Sequence, residues 1–87
     1  MRLTKVQKKL KELGISYSYE ETDFNGNKFG DIWVKGTGTK RYNIGEVTSI
    51  TGSTVSGIWV NGGEYDSQKE AISWIERNED KFLKEVD

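Results

Sequence analysis

Val6, Leu10 and Leu13 recur at the i, i+4, i+7 spacing of one helical face, which predicts a helix over about residues 5–13. Thr4 stands where an N-cap is wanted, with Gln7 at the capping-box distance. Gly14 suits a left-handed C-terminal residue, after which Ile15 can fold back on Leu10. The period then changes from helical to alternating. Residues 15–20 read as a strand with Ile15, Tyr17 and Tyr19 on one face. Asn25-Gly26 is a strong hairpin signal, because both central residues of a type I′ turn need positive φ. The return strand runs from Lys28 to Lys35. A two-residue turn then pairs Phe24 with Asn27, Thr22 with Phe29, Tyr19 with Ile32 and Tyr17 with Val34. The same register sets Glu20 against Asp31, an unfavourable like-charge pair that a bulge at Gly30 would relieve.

Gly36-Thr37-Gly38-Thr39 reads as a turn, Arg41–Ile44 as the start of a third strand that can continue to Ile50, and Thr51-Gly52-Ser53 as another turn. Val55–Val60 is the fourth strand, ended by Asn61-Gly62-Gly63. Ser67 and Glu70 form a second capping box ahead of a helix over about residues 68–84. Ala71, Ile72, Ile75, Phe82 and Val86 lie on its apolar stripe, with Trp74 at the edge, and Asn78-Glu79 interrupts it. The expectation is a single α+β domain over residues 1–87. It has an N-terminal helix, a four-stranded antiparallel sheet and a C-terminal helix, with both helices on one face of the sheet.

Two Ile-Trp-Val triplets, Ile32-Trp33-Val34 and Ile58-Trp59-Val60, break the alternation expected of a sheet covered on one side. If Ile and Val face the helices, Trp33 and Trp59 face away from them. Two indoles on an open face suit a binding surface, since Trp is enriched among interface hot spots. Burial of both by twist or loop packing is the competing structural reading. Trp33, Trp59, Phe29 and Tyr42 are therefore the candidate partner-binding residues, for another protein or for self-association.

Charge adds a second candidate. Residues 1–45 hold nine basic and five acidic groups, and residues 46–87 hold four basic and nine acidic groups, so a net charge of −1 hides a dipolar chain. Lys5, Lys8 and Lys9 share a helical face, which reads as solvated. Lys35, Lys40 and Arg41 cluster around the Gly36–Thr39 turn beside Trp33 and Tyr42, a mixture of cations and aromatics that suits single-stranded nucleic acid. An isoelectric point near 5.5 makes nucleic acid the weaker of the two partners.

Composition removes several chemistries. The 87 residues include no His, no Cys and no Pro, so Ser-His-Asp, Cys-His and disulfide chemistry cannot be built within this chain. Asp23-Phe24-Asn25-Gly26-Asn27 begins like a calcium loop, but Lys28 and Val34 stand where Gly and Glu are required. Gly36-Thr37-Gly38-Thr39-Lys40 lacks the phosphate-loop spacing, and a strand rather than a helix follows it, so it reads as a turn. No carboxylate pair suggests acid/base work. The expectation is a non-enzymatic protein with no metal and no cofactor. No apolar run reaches membrane-spanning length and nothing resembles a signal peptide, which points to the cytoplasm.

The opening Val6-Gln7-Lys8-Lys9-Leu10-Lys11-Glu12-Leu13-Gly14-Ile15, the hairpin from Asp23 to Gly30 and the closing segment from Ser67 to Glu76 together make the chain resemble the small uncharacterised proteins encoded by phages and prophages of Gram-positive bacteria. The resemblance covers most of the chain and transfers no functional residue. It implies a protein that binds and modulates a host or defence protein.

Overall fold

In a computed structural model, described here for residues 3–48, 55–60, 63–65 and 67–84, the chain folds as an α+β domain. Helix α1 spans Thr4–Glu12, followed by strands β1 (Tyr17–Phe24), β2 (Asn27–Lys35), β3 (Arg41–Thr48), β4 (Val55–Val60) and β5 (Gly63–Tyr65), and then helix α2 (Gln68–Arg77). The strands form one antiparallel meander in the order β1-β2-β3-β4-β5. The three-residue β5 falls partly where Asn61-Gly62-Gly63 was expected to end the sheet, and it adds a fifth strand. Residues 1–2, 49–54, 61–62, 66 and 85–87 lie outside the description, and with them the Thr51-Gly52-Ser53 turn and Val86.

The hairpin register is the one that Asn25-Gly26 predicts. Asn25 and Gly26 take φ of 53° and 81°, and the eight pairs from Tyr17↔Val34 to Phe24↔Asn27 run without a shift. No bulge forms at Gly30. Glu20 and Asp31 do face each other, but Asn43 Nδ2 donates to Asp31 Oδ1 at 2.5 Å and draws that carboxylate toward β3. Among the described residues the one register shift lies between Val47 and Thr48, where β3 pairs with β4.

Helix α1 ends as expected. Gly14 has φ 70°, its N–H donates to the Lys11 carbonyl, and Ile15 N–H donates to the Leu10 carbonyl at 2.9 Å. Its start differs. Leu3, left-handed at φ 55°, is the N-cap, and Thr4 is the first helical residue. The side chain of Gln68 does the capping: its Oε1 accepts from Lys5 N–H at 3.0 Å and Val6 N–H at 3.2 Å. Ser67 is the N-cap of α2, without a side-chain capping bond.

Helix α2 stops at Arg77 rather than near residue 84. Asn78 Nδ2 donates to the Trp74 carbonyl at 2.8 Å, satisfying one of the carbonyls left open at the helix end. A 3₁₀ turn over Glu79–Lys81 follows, and the chain then becomes extended. Phe82 bridges Gly36 and Lys84 bridges Ile15. Between them Leu83 N–H donates to the Lys35 carbonyl at 2.8 Å, and the Leu83 carbonyl accepts from Ser16 N–H at 3.0 Å.

Val6 and Leu10 of α1, Ala71 and Ile75 of α2, and Phe82 pack against Ile32, Val34, Ile44, Ile58 and Val60. These sheet residues share one face, so both helices cover that face. Buried Gln7 is satisfied there by the Tyr17 hydroxyl, which donates to its Oε1 at 3.2 Å.

Candidate functional site

The alternation that sends Ile32, Val34, Ile58 and Val60 to the helices sends Trp33 and Trp59 to the opposite face. Trp33 lies between Ser18 of β1 and Asn43 of β3, and Trp59 lies beside Gly45 of β3. Strand spacing places the two Trp Cα atoms about 12 Å apart. Trp59 is 39% exposed. Trp33 is half-buried, and the Arg41 guanidinium sits 4.8 Å from its ring centroid, within cation–π range.

Gly45 separates the two indoles. A Cβ at this position would meet Asp31 Oδ1 at 2.9 Å, so the missing side chain is what lets the Asp31 carboxylate lie over β3. Asp31 is held there by Asn43, whose amide also donates to the Ile32 carbonyl at 3.2 Å. The face therefore runs from cations at one end, Lys35 and Arg41, past Trp33 to a row that holds Glu20, Asp31, Gly45 and Trp59.

The other two aromatic candidates are not available beside the indoles. Phe29 shares their face but is buried, at 5% exposure. Tyr42 pairs with Val34 on the helix-covered face, where it packs edge-on against Phe82 (centroids 5.3 Å) and tilted against Trp74 (6.0 Å). The period of two decides this. Tyr42 is one residue from Arg41 and so points to the opposite side of the sheet.

Lys35, Lys40 and Arg41 do come together. They are walls of a hollow of about 210 Å³ at the β2–β3 turn, with Leu83, 47% exposed, on its rim. The first part of that grouping is legible from sequence. The contribution of Leu83 is not, because an extended C-terminal segment delivers it. Among the described residues no group of His, Cys, Asp or Glu could hold a metal ion, and no helix is long and apolar enough to cross a membrane. Comparison of the chain with protein-family models, with curated proteins and with solved structures finds no match.

Proposed function

We propose that this chain is a non-enzymatic binding module that docks a protein partner on the helix-free sheet face, anchored by Trp33 and Trp59. The observation that carries the reading is an exposed Trp59 on a face that neither helix covers. An indole left in water on a rigid sheet is the kind of side chain that dominates interface energetics once buried. The signs of charge favour a polypeptide over a nucleic acid. A strand of phosphates laid across the indoles would meet Asp31 and Glu20 as well as Lys35 and Arg41. A protein segment can answer both signs, with acidic groups at the Lys35–Arg41 end and basic groups at the Asp31 end. That the partner is a host or defence protein modulated by binding rests on the resemblance to phage and prophage proteins.

The test uses the full chain as bait in a bacterial lysate, with and without nuclease, followed by rebinding of the identified partner in purified form. Binding should survive nuclease and weaken at least about thirtyfold in Trp59→Ala, as expected for a hot-spot truncation of about 2 kcal/mol. The Trp59→Ala variant should keep its fold by circular dichroism. Three outcomes would overturn the proposal: wild-type affinity in both Trp33→Ala and Trp59→Ala, capture that disappears with nuclease, or unfolding of both variants. Concentration-dependent dimerisation lost in Trp59→Ala would assign the face to a second copy of this chain instead.

A further inference from the structure

We infer that the hollow at the β2–β3 turn is a binding site for a phosphate monoester. Lys35, Lys40 and Arg41 are among the residues that line it, and among the described residues none of the three has a carboxylate partner. Ion pairs do form elsewhere, between Lys9 and both Glu12 and Glu76, and between Lys84 and Glu79. Among the described residues no acidic one lines the hollow. Three cationic residues on the walls of one small space repel one another, and an anion bound among them relieves that repulsion.

The turn adds donors. Gly38, at φ 68°, and Thr39 both line the hollow, and their backbone N–H groups donate to no acceptor among the described residues. Successive amides in a turn with a left-handed residue form the concave donor arrangement that suits anions. The Thr39 hydroxyl supplies one further donor. The walls are tied in place. Gly36 N–H donates to the Lys40 carbonyl at 2.8 Å, and Leu83 N–H does the same to the Lys35 carbonyl. Nothing here imitates a phosphate loop leading into a helix. The site is a turn between two strands, closed on one side by the C-terminal segment.

Charge selects among the oxyanions. A carboxylate or a phosphodiester brings about one negative charge, whereas a phosphate monoester brings nearly two at neutral pH, with three strong acceptor oxygens. A monoester therefore answers three cations and the turn amides best. The volume of about 210 Å³ takes the phosphoryl group and the first atoms of its ester, against which Leu83 offers an apolar wall. The site shares Lys35 and Arg41 with the cationic end of the sheet face, but Lys40 and the turn amides lie apart from the Trp59 anchor, and the site does not depend on that face having a protein partner.

The experiment is a titration of the full-length, ¹⁵N-labelled protein, read at the amide signals. The probes are inorganic phosphate, a nucleoside 5′-monophosphate, O-phosphoserine and, as the singly charged control, acetate. Gly38 and Thr39 should shift saturably with the phosphates, while Lys8 and Lys11 on the exposed side of α1 stay still. Affinity should fall about tenfold in Lys40→Ala and in Arg41→Ala, each losing one charge-assisted contact. Tightest binding by the nucleotide or by phosphoserine identifies the natural source of the group. Equal affinity across the three phosphates would show that the ester contributes nothing and would overturn the monoester assignment. Shifts at Lys8 and Lys11 matching those at Gly38, unchanged binding in both variants, or acetate binding as tightly as phosphate would each overturn the assignment.

Discussion

Glu20 and Asp31 face each other across β1 and β2, an arrangement that costs stability unless one charge is engaged elsewhere. Asn43 engages it, and Gly45 leaves the room for Asp31 to lean that way. A conflict within one hairpin is thus resolved by residues of a third strand. Gly36 shows the same dependence on distant residues. Its φ is ordinary, but a Cβ there would lie 2.6 Å from Tyr42 Cε2 and 3.2 Å from the Lys81 carbonyl oxygen. The Tyr42 ring is held between Phe82 and Trp74, so it has little freedom to yield. Gly36→Ala should therefore destabilise the fold by about 1–3 kcal/mol, the range for overpacking. Urea denaturation of the variant beside the wild type measures this, and an unchanged midpoint would contradict it.

Helices this short are not stable alone, and here each depends on its neighbours. Helix α1 has a complete C-terminal stop in its own sequence, Leu13-Gly14-Ile15, and that stop forms as read. Its N-terminus has no cap of its own and borrows Gln68 from the start of α2. One side chain satisfies two of the amides that a helix leaves open, and it ties the two helices together at that end. Gln68→Ala should cost about 1 kcal/mol, the usual value of a lost cap. Gln68→Glu should retain or improve stability, because a carboxylate accepts the same bonds and meets the positive end of the α1 dipole. Thermal melts of these variants beside Gln68→Met, which keeps the side chain's length but not its acceptor, separate this from a purely steric role, for which Gln68→Met would be harmless.

Across the whole molecule, the C-terminal segment completes the structure. Phe82 enters the core at 4% exposure, and Leu83 joins the ends of β1 and β2 through Ser16 and Lys35. The pattern of apolar residues placed Phe82 on the face of a longer helix. The fold delivers it to the core from an extended chain, after Asn78 has closed α2. Phe82→Ala should cost about 3–5 kcal/mol, a large part of the roughly 5–15 kcal/mol that holds a small domain together. A Leu83→Ala variant should cost far less, since that side chain is 47% exposed and its backbone bonds remain. Calorimetry on the pair measures the difference, and equal losses in the two variants would contradict it.

The same division runs through the candidate sites. Local signals were enough for the hairpin and its register, for the α1 stop, and for setting Ile and Val opposite Trp, because turn chemistry and a period of two act between near neighbours; which of those two faces the helices cover was decided only by packing. They also grouped Lys35, Lys40 and Arg41, which are close in the chain. The same period of two puts Tyr42 on the side of the sheet away from the indoles. Three features were out of reach of local signals: the burial of Phe29, the loan of Gln68 to α1, and the insertion of Leu83 beside the basic turn. Each of these depends on which distant segment occupies a given volume. Packing of the assembled chain settles that, and no run of adjacent residues encodes it.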